Sequence, residues 1–180
     1  MTDRDPIDLL VQHHARVREQ IDVLAGIESR LQDHDSASLE LAAREAGAVI
    51  DVLGHLGHLH ALDEGETLFP RLRLVGSLPR EVTVSLDRAE RDHHTVSPVW
   101  PVLQRLLWQL TVPDGTLSIR DFREARLSLK EHYLPHLELE EQIVFPAARR
   151  LIAPGAFLEM VDEMTRRRRE PHGVDLVAVP

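Results

Sequence analysis

Two fourteen-residue stretches of this chain carry one pattern, HALDEGETLFPRLR at 60–73 and HLELEEQIVFPAAR at 136–149. In each, a His is followed by Glu four residues on, by Phe-Pro nine and ten residues on, and by Arg thirteen residues on. The repeat divides the chain into two comparable halves. On a helix, four residues advance ~400°, so His60 and Glu64 differ by only ~40° in direction, as do His136 and Glu140. A His and a Glu one turn apart form a metal-ligand pair, and two such pairs point to a site shared between the halves.

The rest of the chain supports helices to carry these pairs. Asp5-Pro6 reads as an N-cap followed by proline at the first helical position. From there Leu10, His14, Val17, Ile21 and Leu24 form an amphipathic stripe that should end in QDHDSAS (32–38). A second helix is expected from near Ser38 toward Phe69-Pro70. A third should start near Pro79, with Leu86, His93, Val96, Trp100, Leu103 and Leu107 on one stripe. Pro98 and Pro101 remove two backbone donors and should kink it just after His93. After the turn TVPDGT (111–116), a fourth helix is expected from about Ser118 to Leu151, and a short fifth beyond Pro154-Gly155, ending in RRRRE. The expected fold is all-α, an up-and-down antiparallel four-helix bundle with a short additional C-terminal helix. One domain at 1–170 and a flexible tail at 171–180 complete the expected organisation.

Each half then offers a lone His on the core stripe of its first helix and a His-x-x-x-Glu on its second. His14 precedes His60 by 46 residues and His93 precedes His136 by 43. In a bundle, His14, His60, Glu64, His93, His136 and Glu140 converge on the core. Four neutral imidazoles and two carboxylates can hold two metal ions, each with two His and both bridged by the Glu pair, with exogenous oxygen ligands completing the coordination. The set differs from a ferritin-like site, which needs a Glu-x-x-His on each of two helices; here only Glu90-x-x-His93 occurs. Fewer carboxylates give less anionic charge to stabilise high-valent iron, which favours binding of O2 or a related small ligand over oxidation of a strong C–H bond.

These residues resemble the hemerythrin-like, or HHE cation-binding, domains. The resemblance covers roughly residues 7–151 and rests on His14, on His60-x-x-x-Glu64 with Leu68-Phe69-Pro70, on His93, and on His136-x-x-x-Glu140 with Phe145-Pro146. It implies two non-haem iron ions with an oxo or hydroxo bridge, and chemistry with O2, peroxide or nitric oxide, or a sensing role. One departure is Glu64-Gly65-Glu66, where the family often has consecutive glutamates; glycine there loosens the helix beside a ligand.

The other histidines take plainer roles. His13 and His94 lie ~100° from His14 and His93 and fit helix boundaries or contacts behind the ligands. His55 and His58 point ~140–160° away from His60, toward solvent. His132 sits one turn before His136 and is either an extra ligand or a donor to one. Tyr133 has no sequence argument for contacting the site, and the Phe-Pro pairs need only pack and shape the helix ends. Arg166–Arg169 reads as a solvated helix end.

Composition narrows the function classes. The chain has no cysteine, which excludes disulfides, thiolate zinc sites and Cys-ligated iron–sulfur clusters. A net charge of −9 argues against a nucleic-acid partner. No run approaches a membrane span, and the acidic start MTDRDPIDLL lacks an apolar targeting core, so a cytoplasmic setting is expected. The leading expectation is a di-iron protein that binds or reduces a small diatomic or peroxide ligand, with any peroxidase- or catalase-like turnover at the metal. The alternatives are an iron- or oxygen-sensing module without turnover and a structural bundle with a vestigial ligand set.

Overall fold

The computed structural model describes residues 5–169 except 34, 97, 113, 114 and 116. All regular structure among them is helical. Helix α1 spans Pro6–Asp33 and opens as the sequence leads one to expect, with the Asp5 carboxylate accepting from the Ile7 amide at 2.8 Å. Helix α2 spans Ser36–Leu62, capped by Asp35, whose side chain accepts from the Ser38 amide. It continues through a π-helical turn, Asp63–Leu68, into α3, Phe69–Arg73. Helices α4 (Arg80–Val96) and α5 (Val99–Thr111) follow. Helix α6 (Ile119–Leu139) is capped by Ser118 and runs through a second π-helical turn, Glu140–Val144, into α7, Phe145–Leu151. Helix α8 spans Pro154–Arg169.

The expected kink after His93 appears as an outright break, with α4 ending at Val96 and α5 starting at Val99. Pro98 supplies no amide to α4, and Pro101 occupies the first turn of α5, where a missing donor is tolerated. The second and fourth helices are not the uninterrupted α-helices expected, since each widens into a π-turn before its Phe-Pro. The turn expected at 111–116 lies largely outside the described residues, and the tail expected at 171–180 lies wholly outside them.

Helix α1 packs on α2 and α6, α2 also on α5, and α6 on both α4 and α5. The product is a helical bundle whose apolar interior divides in two. One cluster, around Leu24, Val49, Leu103 and Phe122, fills one end. The other, around Leu10, Phe69, Leu86, Phe145 and Met160, fills the opposite end, where α8 closes over it. His14 lies in sequence between Leu10 of one cluster and Val17 of the other, and His136 likewise between Leu129 and Val144. The polar residues thus occupy a layer between two dry plugs, each fully buried Leu or Phe of which contributes roughly 1.5–3 kcal/mol.

Candidate metal centre

The six residues singled out in the sequence meet in that layer. His14, Glu64 and Glu140 are fully buried, His60 and His136 nearly so, and His93 is the most open, with its side chain 21% exposed. They fall into two overlapping groups: His14, His60, Glu64 and Glu140, and Glu64, His93, His136 and Glu140, with ligand atoms in each within 4.8 Å of one another. Both carboxylates belong to both groups. Glu64 Oε2 lies 3.2 Å from His60 Nε2 and 3.1 Å from His93 Nε2. Glu140 reaches His14 Nε2 with Oε2 and His136 Nε2 with Oε1, each at 3.4 Å.

The electrostatics of this layer are unusual for a core. Among the described residues, Glu64 Oε1 and both oxygens of Glu140 find no hydrogen-bond partner, nor do Nδ1 of His60 and His136. Buried polar atoms left in that state cost about 1–3 kcal/mol each, so the arrangement calls for something to satisfy them. Burial pushes the Glu64 carboxyl well above its usual range. Burial, reinforced by Glu64, raises Glu140 to about 8. Burial likewise pushes His60 and His93 below the usual imidazole value, and with His93 nearby takes His136 down to about 3. Without a cation, burial favours neutral rings at His60, His93 and His136 and protonated carboxyls at Glu64 and Glu140.

One ring is fixed by a neighbour that sequence reasoning missed. Glu141 Oε1 lies 2.8 Å from His14 Nδ1, and Arg18 donates to both oxygens of the same carboxylate at 2.7 and 3.0 Å. Burial opposes ionisation of Glu141, but the bonds from Arg18 and His14 hold its carboxyl below the usual range. A carboxylate only accepts, so His14 donates from Nδ1 and turns Nε2 toward the layer. That nitrogen lies 3.2 Å from His60 Nε2 and faces Glu140. Groups this rich in lone pairs are held together by a proton or by a cation. The donor set, imidazole nitrogen with carboxylate oxygen, suits a divalent transition metal.

The Phe-Pro pairs do more than shape helix ends. Phe145 packs on His14 with ring centroids 5.1 Å apart, and Phe69 stacks on His93 at 5.6 Å. Each ring belongs to the second apolar cluster and covers the layer from that side. Asp63, fully buried beside Glu64, is gripped by Arg167 at 2.5 Å and by Arg168. The arginine run is therefore only partly a solvated end, because two of its four members turn inward. Arg168 also reaches His13, which burial and that guanidinium lower to about 4. His13 thus sits behind His60, the rings edge to face at 5.9 Å.

Of the remaining histidines, His55, His58 and His94 are exposed. His132 is also exposed, turned away from the cluster with Nδ1 2.7 Å from the Ser128 carbonyl. Its neighbour Tyr133 approaches the site instead, its ring edge to face with His136 at 6.1 Å. Burial, then Glu64 and Glu140, raise the Tyr133 hydroxyl pKa, so it keeps its proton. The spacing of three residues to His136 was the signal that could have found it.

A family model described as the hemerythrin HHE cation-binding domain matches residues 5–148, four-fifths of the chain. A comparison with curated proteins found no match.

Proposed function

This chain belongs to the hemerythrin family of HHE cation-binding domains, and from that premise we propose that it is a non-haem di-iron protein that binds or reduces a small oxidant, O2, hydrogen peroxide or nitric oxide. The observation that carries this reading is the pair of ligand groups sharing both carboxylates, each adding two histidines of its own. His14 and His60 would hold one ion, His93 and His136 the other, and Glu64 and Glu140 would bridge. Part of the reading is that the four long rods run up and down, antiparallel, around this layer; the short connection between α1 and α2 supports it, as does the packing of each rod on its sequence neighbours. A cytoplasmic setting is also part of it; among the described residues no helix is long and apolar enough to cross a membrane.

When bound, the iron pair supplies electrons and open coordination positions for the oxidant, and a bridging oxo or hydroxo group would complete its shell. The protein does the rest. Glu141 holds the His14 ring with Nε2 turned inward, a constraint of the kind that raises ligand basicity. Phe69 and Phe145 exclude water from one side, which prolongs the life of a bound small molecule. Tyr133 keeps a hydroxyl proton beside His136, where it can donate a hydrogen bond to an oxygen-bearing ligand.

Metal content of the purified chain after anaerobic iron reconstitution tests the reading. About two irons per chain are expected, falling to one or none in His60→Ala. A folded protein that takes up no iron defeats it. A sensing module without turnover has one observation in its favour, since α8 is tied by Arg167 and Arg168 to the residue next to Glu64. In that case iron removal should expose α8 to protease, and hydrogen peroxide should not be turned over.

A further inference from the structure

Against the His60, His93 and His136 side of the layer lies a partly enclosed cavity of about 270 Å³. Its walls are mainly apolar, with Val17, Leu53, Leu129 and Trp100 beside Gly54, Gly57 and Ala61 of α2, and the exposed His58 also belongs to the lining. Among the described lining residues, Tyr133 contributes the one hydroxyl. A water molecule needs roughly 10–15 Å³ of such volume, and dioxygen or hydrogen peroxide little more. The cavity is more than an order of magnitude larger than those ligands require, and its walls give water few partners.

The space is made by missing side chains. Gly54 and Gly57 stand inside α2, neither in a left-handed backbone conformation, so no turn requires them. Glycine destabilises a helix interior relative to alanine. A Cβ on Gly54 would meet Trp100 at 3.8 Å, and one on Gly57 the Tyr133 hydroxyl at 3.9 Å, both ordinary contacts. Steric crowding therefore does not demand glycine either. What the two glycines provide is room between α2 and the Trp100 and Tyr133 rings, with Ala61 continuing the same low wall toward the histidines.

We infer that this cavity seats the apolar part of an organic hydroperoxide, with a single-ring or short-chain tail, whose oxygen end faces His93 and His136 beside the Tyr133 hydroxyl. The inference rests on the di-iron reading above and narrows its oxidant. The tail displaces poorly bonded water from a largely apolar wall, while His60, His93, His136 and the Tyr133 hydroxyl offer donors and acceptors to the oxygens. Small inorganic oxidants still enter but gain nothing from the walls.

The test uses the full chain, metal-free and iron-loaded, with 2-phenylpropan-2-ol as an unreactive probe and cumene hydroperoxide as the reactive one. Calorimetric titration of the metal-free protein with the alcohol should show saturable one-site binding. Gly57→Leu, which fills the cavity, should weaken it about tenfold or more, and Gly57→Ala much less. In the iron-loaded protein Gly57→Leu should slow oxidation of the iron by cumene hydroperoxide about tenfold relative to oxidation by hydrogen peroxide. If Gly57→Leu fails to fold, as judged by circular dichroism, Gly54→Leu takes its place. No saturable binding of the alcohol, or equal binding by the filled variants, overturns the assignment. So does an equal effect of filling on both peroxides. A chain that binds the alcohol and takes up no iron would defeat the di-iron reading while leaving the cavity assigned to an apolar ligand.

Discussion

Glu141 makes the two halves of the centre unequal. Its counterpart in the first copy of the repeat is Gly65, so His14 is oriented by an ionised carboxylate while His93 receives none from that position. His93 is correspondingly the more open ring and borders the cavity. Glu141→Ala should therefore weaken metal binding on the His14 and His60 side by about 10–100-fold, with the other side less affected. Competition against a graded chelator reads this as one iron lost early and one retained; loss of both together, or neither, would contradict the asymmetry. Fixed offsets in a repeated stretch made His60, Glu64, His136 and Glu140 legible, because a helix converts an offset of four into a shared direction, while His14 and His93 were legible from their apolar stripes. Glu141 was less legible, since a glutamate adjacent to Glu140 lies ~100° round the helix and only the fold shows that α1 passes there. His132 and Tyr133 were a harder choice. Offsets of four and three place them on either side of His136, and the sequence does not say which side is the bundle interior. The interior takes Tyr133 and leaves His132 bonded to its own helix.

The two π-turns explain why Phe-Pro recurs at one offset. In an unbroken α-helix, nine residues advance ~900°, which would point Phe69 directly away from His60. One extra residue in the turn removes ~100° of that, leaving the ring ~80° from the histidine and against the polar layer. The amides of Phe69 and Phe145 bond to the carbonyls of Glu64 and Glu140, five residues back. The following proline has no amide to give, and its ring would collide with the carbonyl four residues back in a regular helix. The wide turn avoids that collision at the place where the glutamate must face inward. Periodicity alone missed this because Glu64 and Glu140 stand at the start of the widening, still four residues from their histidines. Helix α8 locks the first turn through Asp63, which is fully buried, while the side chains of Arg167 and Arg168 are 13% and 23% exposed. The arginine run looked solvated in the sequence because its partner lies about a hundred residues away. Asp63→Ala would remove the buried carboxylate that both guanidiniums share, leaving Arg167 with Thr67 and the exposed Glu66, and Arg168 with the Met164 carbonyl and His13. The substitution should cost about 2–3 kcal/mol in urea unfolding. It should also expose α8 to limited proteolysis, whereas Glu66→Ala, on an exposed member of the same group, should change stability by less than about 0.5 kcal/mol. Equal effects from the two substitutions would remove Asp63 from this role.

For the molecule as a whole, the polar layer sets how stability depends on pH when no metal is bound. Folding lowers His136 from 6.5 to about 3 and His13 from 6.5 to about 4. Between those values and 6.5 the unfolded chain binds more protons than the folded one, so stability rises with pH through that window. The depressed carboxyls of Glu141 and Glu163 add to the same acid limb. Glu140 has the opposite sign. Folding raises it from 4.5 to about 8, so from 4.5 upward the folded chain holds the extra proton and stability falls until about 8. Glu64, raised in the same direction, reinforces that limb. The two trends oppose each other between 4.5 and 6.5, while below and above that interval only one acts. The metal-free protein should therefore have its highest Tm within about pH 4.5–6.5 and lose stability on the way to pH 8. Cations neutralise the carboxylates by replacing their protons, so iron should both bind more tightly as pH rises and abolish the alkaline loss. Thermal unfolding of the metal-free and loaded proteins from pH 4 to pH 9 checks this directly. The gap between their Tm values should widen from pH 6 to pH 8, and a metal-free curve that stays flat over that range would mean the two buried carboxyls are already ionised and balanced by something other than metal.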